Sequence, residues 1–153
     1  MQNDGSGALN QPWAAFKAGF SDNLSNYWIG NDNLYRLTKN GKCMARFEGW
    51  KTGTVNNWYW AEYSAFIIGG ESTSYQIGYG TYNGALAVDG LIRGMQFHTK
   101  DRDLGFCADA RGGGFWISSN CALTAMTATT GYMTLYGPPG VTLKFSRISI
   151  ICR

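Results

Sequence analysis

Two aspartates, Asp101 and Asp103, stand two residues apart in the charged turn Lys100-Asp101-Arg102-Asp103, and Gly105 follows closely. Carboxylates at i and i+2, together with turn carbonyls, suit a hard cation held by oxygens, and Ca²⁺ takes about six to eight of them. The spacing therefore raises a Ca²⁺ site built on Asp101, Asp103 and the backbone near Gly105. The competing reading is a pair of solvated aspartates flanked by Lys100 and Arg102, coupled by well under about 1 kcal/mol. A second constellation lies just downstream, where Phe115-Trp116 falls between Cys107 and Asn120-Cys121. An apolar wall with a few placed backbone donors suits a small group such as an acetyl methyl with its carbonyl. Tyr132 and Tyr136 would extend that wall. Against this stands the commoner fate of adjacent aromatics, which is burial in the core.

Residue types that carry catalysis are sparse. His98 is the single histidine, with no cysteine or serine nucleophile placed beside it in sequence. Ser118 and Ser119 lack a G-x-S-x-G setting. Glu48, Glu62 and Glu71 are scattered, and Gly112-Gly113-Gly114 lacks the Lys-Ser/Thr of a phosphate loop. Cys43, Cys107, Cys121 and Cys152 contain no C-x-x-C, and one histidine cannot complete a zinc site of ordinary spacing. The expectation is a non-catalytic protein. An even cysteine count in a glycine-rich chain with few charges favours disulfides and an oxidising, extracellular compartment over four reduced core thiols.

The chain that must position these residues has 153 of them, enough for one core. Hydrophobic residues make up 44% and aromatics 15%, which excludes a disordered composition, while charged residues are only 15%. A net charge of +3 without a basic run argues against nucleic acid. No apolar run approaches a membrane span. Met1 leads straight into Gln-Asn-Asp, which reads as a fragment boundary without a signal peptide.

Along the chain, Pro12–Lys17 reads as a short helix opened by proline and ended by Gly19. Tyr27–Ile29 is a short strand. Asn31–Leu37 is a second helix, capped by Asn31 or Asp32 and stopped near Asn40-Gly41. Cys43–Trp50 alternates apolar and polar residues as a half-buried strand. Residues 53–57 form a hairpin-like connection to an aromatic strand, Trp58–Ile68. In that strand Trp58 and Trp60 share one face and Tyr59 takes the other. Tyr75–Tyr82 reads as another strand, Met95–His98 and Tyr132–Tyr136 as two more, and Val141–Cys152 as a closing β-rich run. The segment from Gly137 to Gly140 is a firm break. Several antiparallel strands, two short helices and long loops make the class α+β, dominated by β.

These residues carry a resemblance. Tyr27-Trp28-Ile29-Gly30-Asn31-Asp32-Asn33-Leu34, Ala61-Glu62-Tyr63-Ser64-Ala65-Phe66, the run from Gly94 to Asp103, Gly114-Phe115-Trp116 and Asn120-Cys121 stand in the order of a fibrinogen-like domain. The likeness runs with gaps from Gln2 to Arg153. It implies a fibrinogen C-terminal-like fold, a twisted antiparallel sheet with short helices. It divides the chain into a central sheet region at 2–93, a loop-rich binding region at 94–140 and a closing strand at 141–153, without the usual N-terminal subdomain. It implies a Cys107–Cys121 bridge, closing a loop of about fifteen residues worth roughly 3 kcal/mol in the chain-entropy model. Cys43 and Cys152 would then form a second pair outside the usual family pattern.

By the same resemblance, calcium would bind at Asp101, Asp103 and Gly105, and a ligand pocket would involve Cys107, Phe115, Trp116, Asn120, Cys121 and Tyr132. The implied function is non-catalytic recognition of N-acetylated glycans on microbial or cell surfaces, as in ficolin-like lectins of innate immunity. The alternative is a protein-binding or structural adhesion module of the fibrinogen or angiopoietin type. Two departures bear on this choice. Only Leu104-Gly105-Phe106 separate Asp103 from Cys107, so fewer carbonyls are offered to an ion. Cys121 is followed by Ala122-Leu123-Thr124-Ala125, where the family usually has a histidine. A single weak site would need several copies to bind usefully, and this sequence contains no collagen or coiled-coil stalk, so a missing region or self-association would have to supply them.

Overall fold

Alternation along Cys43–Trp50 decides the centre of the fold. The structure is a computed structural model, and it describes residues 1–51, 58–85, 89–102, 106–117, 121, 124–128, 134–135 and 141–153. In chain order its elements begin with β1 (Gln2–Asn3), α1 (Trp13–Ala18), β2 (Phe20–Ser21), β3 (Tyr27–Trp28) and α2 (Asn31–Thr38). They continue with β4 (Cys43–Trp50), β5 (Trp58–Ile68), a 3₁₀ turn (Glu71–Thr73), β6 (Ile77–Gly78), β7 (Tyr82–Gly84) and β8 (Phe97–His98). The chain ends with α3 (Cys107–Arg111), β9 (Phe115–Trp116), β10 (Thr134–Leu135), β11 (Val141–Thr142) and β12 (Phe145–Cys152).

Eight strands form one sheet in the order β2-β3-β1-β12-β4-β5-β6, with β7 also on β5. Its pairings are antiparallel. The closing strand β12 is therefore inserted between β1 and β4, and its register runs from Phe145↔Trp50 to Cys152↔Cys43. Cys43, Ala45, Phe47 and Gly49 face inward, and Met44, Arg46, Glu48 and Trp50 face the half-exposed side. On that outer side Arg46 donates to Glu48 at 3.0 Å and to Glu62 at 2.6 Å, and Arg147 donates to Glu48 at 2.9 Å. Arg46 with Glu62 and Arg147 with Glu48 are cross-strand neighbours, so these charges reinforce the register that the inner face imposes.

β5 does not pair evenly with β4. The register steps between Cys43↔Phe66 and Ala45↔Tyr63, and Ala65 sits in the left-handed region at φ 45. This is a bulge, with one extra residue on β5. The inner face carries Phe47, Tyr63, Phe66 and Ile148 into a core shared with α1, α2 and the 94–128 segment. Each large apolar side chain sealed there contributes roughly 2 kcal/mol.

Some expectations from sequence are corrected. Tyr75–Tyr82 is not one strand, because Ser74 and Tyr75 take positive φ and turn the chain before β6. Neither Asn31 nor Asp32 caps α2. Gly30 is its N-cap, Asn31 accepts from Trp28 Nε1 at 2.9 Å, and Asp32 accepts from Tyr75 Oη at 2.7 Å. The expected connection at 53–57 lies outside the described residues. Of the expected strand at 132–136, Thr134–Leu135 is β10, and Tyr132 and Tyr136 lie outside the described residues.

Candidate functional site

The segment from Gly94 to Arg102 is attached to the body of the protein at both ends. Gly94 N donates to Ile77 O at 2.8 Å, and Ile77 N donates to Met95 O at 2.9 Å. β8 then pairs with β9, Phe97 opposite Trp116 and His98 opposite Phe115. The charged turn follows, closed by reciprocal backbone bonds between Thr99 and Arg102. All three of its described charged residues reach the start of α1. Lys100 Nζ donates to Asn10 O at 3.0 Å. Arg102 stacks its guanidinium 4.0 Å from the centre of the Trp13 ring. Asp101 Oδ1 accepts both the Trp13 N–H at 2.9 Å and the Thr99 hydroxyl at 2.7 Å.

The Asp101 contact has a clear physical reason. The first N–H groups of a helix have no partner within it. Pro12 precedes α1 and makes no side-chain cap, so an acceptor must come from elsewhere. A carboxylate at a helix N-terminus also meets the favourable end of the helix dipole. Burial pushes the Asp101 carboxyl up, but hydrogen bonds from Thr99 and Trp13 outweigh it and hold it below the ordinary aspartate range. Glu71 completes the clasp. It accepts from Trp13 Nε1 at 2.8 Å and from Lys17 Nζ, and those two bonds, the lysine's first, lower its carboxyl.

Of the residues expected to hold a cation, only Asp101 is described, and one of its two oxygens already serves the protein twice. It fits an ion through its second oxygen alone. Asp103 and Gly105 lie outside the described residues. Among the described residues no group of three or more His, Cys, Asp or Glu side chains is placed to share a metal.

Phe115 and Trp116 are core residues, although Trp116 also lies at the back of a cleft lined by Trp28, Leu34 and Phe66. They are 0% and 2% exposed. Trp116 donates its Nε1 to Tyr75 O at 2.8 Å, and its ring lies 5.1 Å from Phe97 and 5.2 Å from Phe115. Phe47 of the sheet stands 6.3 Å from Phe115. Alternate burial cannot separate two adjacent aromatics here, because β9 is enclosed on both faces, by the sheet and by α1 with Trp28. The glycines before it serve this enclosure. A Cβ on Gly113 would lie 2.2 Å from Thr127 O, and one on Gly114 would lie 2.7 Å from the Phe16 ring. They are packing glycines, not a ligand-binding loop.

Two disulfides are present. Cys107 is joined to Cys121 and Cys43 to Cys152. Cys107 opens α3, a helix of five residues without apolar periodicity, which sequence patterning missed. Arg111 at its end donates to Cys121 O, and burial lowers its guanidinium pKa. Asn120 and Tyr132 lie outside the described residues. Sequence reasoning also missed Asp89, which accepts from Tyr63 Oη at 2.9 Å, Tyr79 Oη at 2.6 Å and Leu91 N at 2.9 Å. Burial, with Asp89 next, raises both phenols. The signal available in sequence was faint: a lone Asp-Gly after aromatic strands. These polar groups hold one another, an arrangement suited to bracing loops and presenting a surface.

Comparison with known proteins agrees with this architecture. The family described as fibrinogen beta and gamma chains, C-terminal globular domain, matches residues 1–141. Angiopoietin-related protein 7 from Homo sapiens is 30% identical over 159 aligned residues, which cover 92% of this chain and 44% of that protein. Its Mus musculus counterpart is 36% identical over 118 residues, 72% of this chain and 33% of that protein. The chain thus spans less than half the length of these relatives. Among solved structures, the fibrinogen-like globe domain of human ANGPTL2 superimposes with a TM-score of 0.76 at 27% identity, covering 99% of this chain and 77% of that one. The chain belongs to the family of fibrinogen C-terminal globular domains.

Proposed function

We propose that the protein is a secreted, non-catalytic module that binds another protein. The observation that carries this reading is the likeness to angiopoietin-related proteins along most of the chain. It favours the second of the two functions that the resemblance raised. Glycan recognition through an acetyl pocket has no support from these relatives, and the aromatics that would have formed it are in the core. Two disulfides suit an extracellular setting.

Calcium belongs to the same proposal in a supporting role. It would take the second oxygen of Asp101 with Asp103 and the backbone near Gly105, and stiffen the turn that clasps α1. A rise in Tm on adding calcium that disappears in Asp103→Ala supports the ion. Equal Tm in calcium and in chelator removes it.

The function is tested by screening the chain against arrayed extracellular domains and, in parallel, against N-acetylated sugar resins. Saturable binding to a protein that free N-acetylglucosamine and acetate leave unchanged is the expected result. Retention on the resin, competed by N-acetylglucosamine, would overturn it in favour of a lectin.

A further inference from the structure

A cleft of about 310 Å³ opens between α2, β3 and β12. Its floor is Trp28, Leu34, Phe66 and Ile148, and its rim includes Tyr27, Ile29 and Leu37. The rim residues are 43%, 40% and 45% exposed, unusual for side chains of this kind on one small surface. Its lining is mostly apolar, with the hydroxyls of Tyr27 and Ser149 among it. A second opening is lined by Lys42, Cys43, Ile151 and Arg153 among others. Leu37 joins the two, since it lines the first and its carbonyl lies 3.1 Å from the Cys43 sulfur.

Basic side chains stand close in sequence to this apolar lining, on and after α2 and at the end of β12. Arg36, Lys39, Lys42 and Arg153 are exposed, and none of them belongs to an ion pair among the described residues. The nearest acids in sequence are engaged elsewhere. Asp32 turns to Tyr75 and Lys17, and Asp22 accepts from Asn26 and Leu24.

Resting on the protein-binding reading, we propose that this surface receives an acidic segment of a protein partner, which seats an aliphatic or aromatic side chain in the cleft. The cleft is at the low end of the roughly 300–1,000 Å³ that ligand sites occupy, room for one or two bulky side chains. An anchor in a desolvated pocket supplies most of an interface's affinity. The unpaired cations select carboxylates and speed their arrival. A second copy of this chain is a poorer occupant, because a two-fold contact would bring the same basic rim against itself.

The test uses the 153-residue chain and short fluorescein-labelled peptides read by anisotropy. One peptide mixes glutamate with leucine, one has lysine in place of glutamate, and one has serine in place of leucine. The glutamate–leucine peptide binds at least about tenfold tighter than either control. Leu37→Asp, at an exposed position, keeps the circular dichroism spectrum and lowers that affinity about tenfold. Lys39→Glu with Lys42→Glu lowers it at least about threefold and flattens its salt dependence. Equal affinity for the acidic and basic peptides, or binding unchanged in Leu37→Asp, would overturn the proposal. So would a wild-type dimer in sedimentation that Leu37→Asp dissociates. The protein-binding reading is tested separately on the ectodomain array. If wild type binds no ectodomain, that reading fails; an ectodomain held equally by wild type and Leu37→Asp leaves it standing and removes only this surface.

Discussion

The carboxylate of Asp101 accepts the backbone N–H of Trp13 at 2.9 Å, across 88 positions of sequence. A turn that reads as an ion site is thereby a remote cap for a helix that begins after proline. The same oxygen takes the Thr99 hydroxyl, so turn and helix are held by one atom. Loss of a capping acceptor costs about 0.5–2 kcal/mol. Asp101→Ala is therefore expected to lower stability by roughly 1–2 kcal/mol even in chelator, and by more in calcium, while Asp101→Asn, which keeps an oxygen, loses less. Urea melts with and without chelator check this. A loss seen only with calcium would reassign the residue from cap to metal ligand.

How much of this was legible in the sequence differs by element. β4 and β5 were readable to their end residues, because strict alternation in one and aromatic density in the other leave little choice. α1 and α2 were announced by Pro12 and Gly19 and by the Asn-Asp-Asn run. The stretch after Tyr75 was not, since a tyrosine in the left-handed region is dictated by tertiary contacts: its backbone carbonyl holds Trp116, and its hydroxyl reaches Asp32. α3 is too short for periodicity to show. At the site, a pair of aspartates looks the same whether it waits for an ion or caps a distant helix. A Phe-Trp pair looks the same on a pocket wall or between two buried layers.

Phe115 and Trp116 should accordingly behave as core. Replacing either with alanine is expected to cost about 3–5 kcal/mol. Trp116→Phe is expected to cost less, chiefly the bond from Nε1 to Tyr75 O, about 1 kcal/mol. Chemical denaturation measures these values. A well-folded Trp116→Ala protein with changed ligand binding and unchanged stability would return the residue to a pocket.

Glu48 lies between Arg46 and Arg147 on the outer face of the sheet. Burial pushes its carboxyl up, and the two guanidiniums, Arg147 ahead of Arg46, pull it below the ordinary glutamate value. A carboxyl whose folded pKa is depressed contributes stability above its unfolded value, and that contribution is lost as pH falls through the folded one. Stability should therefore decline as pH drops below about 4.3, the ordinary glutamate value. Glu48→Gln should cost roughly 1–2 kcal/mol at neutral pH and make the acid limb of the pH profile shallower. An identical acid limb in both proteins would show that other carboxylates control it.

The two disulfides close loops of very different length, with sequence separations of 109 and 14. Cross-linking a loop of about 100 residues is worth roughly 4.7 kcal/mol in the chain-entropy model, against about 3 for one of about 15. Replacing Cys43 and Cys152 together with serine should thus lower the urea midpoint more than replacing Cys107 and Cys121. The first pair ties β12 to β4 at the end of the central ladder, so hydrogen exchange should rise first at Ile150–Cys152. The reverse order of midpoints would mean that native packing around α3, rather than loop length, sets the balance.

Ala65 offers a test in the stabilising direction. It sits at φ 45 where β5 bulges against β4, a conformation that costs an L-residue with a Cβ roughly 1–2 kcal/mol. Glycine removes that penalty but loses more freedom on folding, about 0.5–1 kcal/mol. The side chain is exposed, so little packing is given up. Ala65→Gly should consequently leave stability unchanged or raise it by up to about 1 kcal/mol, measured from urea midpoints. Ala65→Val should lower it by at least about 1 kcal/mol, since a β-branched residue tolerates positive φ poorly. If glycine destabilised the chain by more than valine, the bulge would depend on the alanine methyl itself, through its packing beside Gly80, and not on backbone conformation.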